Sequence, residues 1–204
     1  MRIISSSHEI LNKPTYQELL LPIEVAARTC YKSEPGHASD PDAFVGRLIK
    51  LGHESVIEHK SLSIRFICDR GVSHELVRHR LCSFSQESTR YCNYSKDKFG
   101  NECTFIKPSG FLRDDMTYGI WTDAMFAAEA YYFDLLASGA TPQEARSVLP
   151  NSLKTEIVVT TNLREWRLIL NQRTSPQAHP DMRELMLPLL AELKDSYPVF
   201  FGDI

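Results

Sequence analysis

No long hydrophobic run occurs in this sequence. Its apolar stretches are a few residues each, far short of the ~20 that a bilayer-crossing helix needs. The opening Met1-Arg2-Ile3-Ile4-Ser5 lacks the apolar segment of a secretory signal. A soluble, untargeted protein with no membrane partner is expected. Cysteine is scarce too: the five residues (Cys30, Cys68, Cys82, Cys92 and Cys103) are odd in number and form no C-x-x-C pair. Neither a disulfide framework nor a zinc knuckle is indicated, and the cytoplasm is the expected compartment. The nine glycines never occur as G-x-G, which removes the Rossmann fingerprint and the phosphate-binding P-loop, and no G-x-S-x-G elbow is present. His53-Glu54-Ser55-Val56-Ile57 opens like H-E-x-x-H but ends on isoleucine, with His59 two positions late, so a zinc-protease helix is excluded. The histidine pairs His53/His59 and His74/His79 lack a clear carboxylate partner, and no metal is expected. Bulk positive charge is also missing. A net charge of −3 argues against a general nucleic-acid binder.

What is present is an ordinary folding composition. The chain has 204 residues, 43% hydrophobic and 24% charged, which suits one domain spanning 1–204 and rules out disorder and low complexity. The charge is unevenly placed. Lys60 to Tyr91 holds six basic against three acidic residues, and Arg146 to Arg173 holds five against two. Forked, planar arginines dominate both segments, and such donors suit phosphate or carboxylate.

Periodicity yields an α+β reading, with a small, mainly antiparallel sheet and several packed helices. Strands are expected at Met1 to Ser7, Ser61 to Cys68, Thr104 to Ile106 and Leu153 to Val159. Helices are expected at Thr15 to Tyr31 with Pro22 as a kink, from Asp40-Pro41 to Gly52, at Val72 to about Arg80, and at Met116 to Ser138. Further helices should start at the capping box Thr141-Pro142-Gln143-Glu144, at Asn162 with Glu165 three residues on, and at about Asp181, the last bent at Pro188. A loop rich in Gly, Pro, Ser and Asp should follow Tyr31, Gly71 should end the second strand, and Ser83 to Tyr94 reads as a polar loop. The stripe Trp121, Met125, Ala128, Tyr132 and Leu135 reads as core or subunit contact rather than a cofactor surface.

The densest polar stretch runs from Arg78 to Arg90: Arg78-His79-Arg80, then Leu81-Cys82-Ser83-Phe84-Ser85-Gln86-Glu87-Ser88-Thr89-Arg90. Cations at a helix end complement its dipole, which accounts for part of the pattern. The hydroxyls and amides that follow, ending on another arginine, suit a phosphorylated ligand. Two readings stay open on composition: an enzyme acting on such a ligand, or a non-catalytic nucleotide- or RNA-binding module using both arginine clusters. Single-strand binders interleave exposed aromatics for base stacking, and this sequence lacks them.

R-H-R, seven residues, then S, from Arg78 to Ser88, resembles the signature of flavin-dependent thymidylate synthases. The resemblance extends through Gly52-His53-Glu54-Ser55 with Glu58-His59, Glu144-Ala145-Arg146 with Leu149-Pro150, and Asn162-Leu163-Arg164 followed by Asn171-Gln172-Arg173. It implies a homotetramer with FAD at subunit interfaces, which converts dUMP to dTMP using 5,10-methylenetetrahydrofolate as one-carbon donor and NADPH as reductant. His53, Ser55, Arg78, His79, Arg80, Gln86, Asn162 and Arg164 are thereby assigned to FAD. Glu75, Leu76, Arg78, Gln86, Glu87, Ser88, Thr89, Arg90, Arg146 and Arg173 are assigned to dUMP. Arg90 and Arg146 would clamp the phosphate, and Arg173 would be catalytic, stabilising negative charge on the uracil ring. Ser88 would bind through its hydroxyl, with no adjacent base to make it a nucleophile. Three positions depart from the family's usual residues: Glu75 stands for glutamine, Gln86 for glutamate, and Leu168 for a polar flavin contact.

Overall fold

Side-chain caps set the helix starts. In the computed structural model, residues 1–11, 13–34, 40–109 and 115–204 are described, with backbone alone for Tyr31 and Asp115. Thr15 and Glu18 form a reciprocal capping box that opens α1 (Tyr16–Tyr31). The Asp40 carboxylate accepts from Asp42 N to open α2 (Pro41–Lys50), and Asn162 Oδ1 accepts from Glu165 N to open α6 (Leu163–Arg173). Thr141 and Glu144 cap the short α5 (Pro142–Ala145), and His179 caps α7 (Pro180–Ser196). Pro22 and Pro188 lie inside α1 and α7, each removing one backbone donor. The expected loop after Tyr31 falls largely outside the described residues.

The remaining elements are the strands β1 (Arg2–Ile4), β2 (Ser7–Leu11), β3 (Ser61–Asp69), β4 (Ser83–Gln86), β5 (Thr104–Ile106) and β6 (Lys154–Asn162), and the helices α3 (Arg70–Leu76), α4 (Asp115–Ala137) and α8 (Pro198–Phe201). One sheet has the order β2-β3-β6-β4, and β1 pairs with β5 in parallel. The class is α+β, helices with a small antiparallel sheet.

Four features differ from expectation. The strand expected at Met1 to Ser7 is the shorter β1, and β2, which starts at Ser7, is a strand that was not expected. The helix after β3 begins at Arg70 and ends at Leu76, so Arg78, His79 and Arg80 lie beyond it rather than in its last turn. Gly71 sits inside α3, where Asp69 Oδ1 bends back to accept from Val72 N; a Cβ at Gly71 would stand 2.9 Å from that oxygen. Finally, Ser83 to Gln86 is a strand, although its residues show no apolar alternation.

The chain divides into two compact units. The first comprises residues 1–8, 66–78 and 84–158. Its core gathers Tyr94, Cys103, Phe105, Met125, Tyr132, Ala145 and Leu153, with Trp121 and Leu135 packed against it, so the expected α4 stripe does face a core. Buried apolar area of this kind contributes roughly 25 cal/mol per Å². The second unit comprises residues 9–65, 79–83 and 159–204. There Leu19, Leu20 and Ile23 of α1, Trp166 and Leu170 of α6, Met182, Leu185 and Leu189 of α7, and Phe200 and Phe201 of α8 are buried. Trp166 donates its indole N–H to Leu62 O at 3.1 Å, which satisfies the ring's polar edge inside that core.

Candidate active site

The first unit holds Glu75, Leu76, Arg78, Gln86, Glu87, Ser88, Thr89, Arg90 and Arg146. Leu76 ends α3 with its side chain buried in the core. Gln86, the last residue of β4, donates its amide to Ser73 Oγ at 2.9 Å and to Thr155 Oγ1 at 3.2 Å. An amide can donate to both hydroxyls and still offer its carbonyl oxygen as an acceptor. Next, Glu87 N bonds Glu156 O at 2.8 Å, while the Glu87 carboxylate accepts from Tyr94 Oη and from Lys154 Nζ, each at 2.8 Å. The chain then turns: Tyr91 N and Cys92 N both reach Ser88 O, at 3.1 and 2.9 Å. Thr89 is buried and accepts from Arg146 Nη1 at 3.3 Å, and Arg90 Nε donates to Gln143 Oε1 at 3.1 Å. Arg90 also lies over the Tyr91 ring, 5.4 Å from its centroid. Both arginines are exposed, so their forks meet solvent around this turn.

The second unit holds His53, Ser55, His79, Arg80, Asn162, Arg164 and Arg173. His53 and Ser55 line a cavity of about 320 Å³ together with Gly52, Glu54, Val56 and Arg164. Gly52, at φ +77°, takes the left-handed turn that closes α2 and leads into this rim. Arg164 donates to Glu58 Oε1 at 2.6 Å and lies 3.7 Å from Glu54 Oε2. On the next helical turn, buried Arg167 spans Asp203 with two nitrogens, Glu54 Oε1 and Phe200 O.

His79 is buried, and its Nε2 accepts a hydrogen bond from Arg173 Nε at 3.0 Å. An imidazole nitrogen that accepts carries no proton, so the ring proton sits on Nδ1, 3.8 Å from Glu165 Oε1. Burial, then the Arg173 charge, holds His79 below the ordinary histidine range, which keeps the accepting form. Burial likewise pushes the Glu165 carboxyl up. The thiols near the motif are not activated: burial raises both Cys82 and Cys92.

Residues 16–199 match the model of the thymidylate synthase complementing protein family. A flavin-dependent thymidylate synthase of Geobacter sulfurreducens is 34% identical over 189 residues, covering 89% of this chain and 80% of that protein. The chain belongs to the flavin-dependent thymidylate synthase family. Another relative of that name, from Mycobacterium sp. strain JLS, is 36% identical over 204 residues, covering 89% of this chain and 78% of its own. In fold the chain is similar to a UMP/dUMP methylase, PolB, from Streptomyces cacaoi, solved with 5-Br dUMP, with a TM-score of 0.80 at 21% identity over 99% of this chain and 96% of that one.

Several side chains that complete these arrangements carry no motif of their own. Tyr94, Lys154, Gln143 and Glu165 bond or face family-motif residues from 7 to 86 positions away in sequence, and only tertiary structure brings them there. Among the described residues no group of three His, Cys, Asp or Glu is placed to hold a metal, and no helix is long and apolar enough to cross a membrane.

Proposed function

We propose that this protein converts dUMP to dTMP, with FAD as cofactor, 5,10-methylenetetrahydrofolate as one-carbon donor and NADPH as reductant. The observation that carries the reading is the hydrogen bond from Arg173 to His79, which joins the residue assigned to uracil with the centre of the R-H-R motif assigned to flavin.

The donor set fits a flavin dinucleotide. Arg78 and Arg80 are exposed, and among the described residues no hydrogen bond or ion pair engages either guanidinium, leaving forked donors for a diphosphate. His53, Ser55 and Arg164 surround a cavity that suits part of such a ligand, and Asn162, whose Oδ1 is spent on its cap, retains an amide donor. Gln86 completes the set. When bound, FAD supplies the redox and one-carbon transfer chemistry that no side chain here offers.

The chain's own residues bind and polarise the nucleotide. Arg90 and Arg146 clamp the phosphate, with the Ser88 hydroxyl and the peptide groups of the Glu87–Thr89 turn beside them. Glu75 and the backbone of Leu76 lie beside the nucleotide. Arg173 places its fork at uracil O4 and N3, where stabilising negative charge on the ring makes C5 nucleophilic. This activation needs no protein thiol, in keeping with the raised values of Cys82 and Cys92.

The cavity at His53 holds only part of a dinucleotide, which supports a homotetramer whose neighbouring subunits complete the FAD site. Helix α4 supports the same assembly: Met116, Ile120, Phe126 and Tyr131 are all more than half exposed. The reading is tested by incubating the purified chain with FAD, dUMP, labelled methylenetetrahydrofolate and NADPH. Labelled dTMP is expected; bound flavin without product would contradict it.

A further inference from the structure

Glu87 belongs to the motif stretch, yet both of its carboxylate oxygens are engaged within the protein: Oε1 by Tyr94 Oη and Oε2 by Lys154 Nζ, each at 2.8 Å. The three side chains are shielded. Lys154 and Glu87 expose 18% and 14% of their side chains, and Tyr94 is buried. Lys154 also donates to Glu156 Oε1 at 2.6 Å, and Glu156 O receives Glu87 N, so Glu87 is fixed by backbone and side chain together. Tyr94 is held in turn, its N–H reaching Tyr132 Oη at 3.3 Å beside a core of aromatic rings.

We infer that Lys154 and Tyr94 are positioning residues for the nucleotide phosphate, acting through Glu87 on the turn that carries Ser88, Thr89 and Arg90. A sequestered carboxylate is tolerated only while its partners are present. Removing Lys154 leaves the Glu87 carboxylate a partner short, and a shift of Glu87 towards water loosens the start of the turn that runs on through Ser88, Thr89 and Arg90. Burial lowers the Lys154 ammonium's affinity for its proton, but the bonds to Glu156 and Glu87 outweigh it and raise the value, so the charge persists across the working pH range. Glu87 is therefore an anchor, and its side chain is spent before any ligand arrives.

This inference rests on the proposed dUMP site, and the test separates the two. Binding of dUMP and of deoxyuridine to the FAD-loaded enzyme is titrated for the parent, Lys154→Met, Tyr94→Phe, Lys154→Arg, and Lys154→Met combined with Glu87→Gln. Loss of one charged hydrogen bond predicts about tenfold weaker dUMP binding for Lys154→Met, about threefold for Tyr94→Phe, and an unchanged, weaker deoxyuridine affinity in both. Lys154→Arg recovers part of the loss. The double variant recovers more, because the stranded charge is gone, which a purely structural defect would not produce. The same ordering should appear in the KM for dUMP, with kcat affected less. If Lys154→Met does not fold, Tyr94→Phe, which removes one hydroxyl, decides. Unchanged dUMP affinity in the variants, or equal losses for dUMP and deoxyuridine, overturns the inference. Failure of the parent to bind dUMP overturns the underlying site instead.

Discussion

Arg173 Nε donates to His79 Nε2 at 3.0 Å, and the imidazole that receives it is buried and unprotonated. The bond uses the guanidinium's inner nitrogen to orient its outer fork, so a family-motif histidine acts on the arginine proposed to activate uracil.

Acid should break that arrangement. The ordinary histidine value is 6.5, and His79 lies below it because burial first, and Arg173 second, disfavour the cation. The unfolded chain therefore binds the proton more readily than the folded one between the lowered value and 6.5, so His79's contribution to stability is full above that window and is lost as pH falls through it. Activity should decline on an acid limb whose midpoint is below 6.5. His79→Gln, whose carbonyl can still accept from Arg173 but cannot titrate, should lack that limb in a pH–rate profile; an unchanged limb would contradict the assignment.

Asn162 serves two ends that substitution can separate. Asn162→Ala should lower stability by about 1 kcal/mol through loss of the α6 cap, and should also weaken flavin binding. Asn162→Asp keeps the cap but not the amide donor. Thermal melting beside flavin titration should show it near-normal in stability and poor in flavin retention.

The C-terminal contact is a stability element. Arg167 is buried against Asp203, Glu54 and the Phe200 carbonyl, so Arg167→Met should cost about 3 kcal/mol in denaturant unfolding. Asp203 is held below the usual carboxylate value by its bond to Arg167, so its share of stability is present above that value and lost as pH falls through the lowered one.

Much of this architecture is legible in the residues. Thr141 with Glu144 and Asn162 with Glu165 announce their helices because a cap is a local interaction three residues long. The strand β6 shows its buried face by alternation, Thr155, Ile157, Val159 and Thr161 all being buried. The strand β4 does not, because Ser83 to Gln86 owes its conformation to pairing beside β6 rather than to an apolar face. Nor does the end of α3, which stops at Leu76: no glycine or proline marks Val77 to Arg80. The motif residues themselves are legible through the family resemblance. Their partners Tyr94, Lys154 and Glu165 are not, since only the folded chain brings them close.

Phosphate recognition should be separable from ring activation. Arg146→Ala removes both a forked cation and the bond to Thr89, so the KM for dUMP should rise about tenfold to a hundredfold while flavin retention stays unchanged. Steady-state kinetics with flavin absorbance recorded on the same sample checks this, and flavin loss in parallel with KM would count against it.

The most direct measurement is dTMP formation by the FAD-loaded chain and by Arg173→Ala at saturating dUMP, methylenetetrahydrofolate and NADPH. Charge stabilisation at the ring predicts product from the parent and a drop of about a hundredfold or more in kcat for the variant, with its flavin still bound. Equal turnover by both would contradict the role given to Arg173 and the His79 contact that orients it.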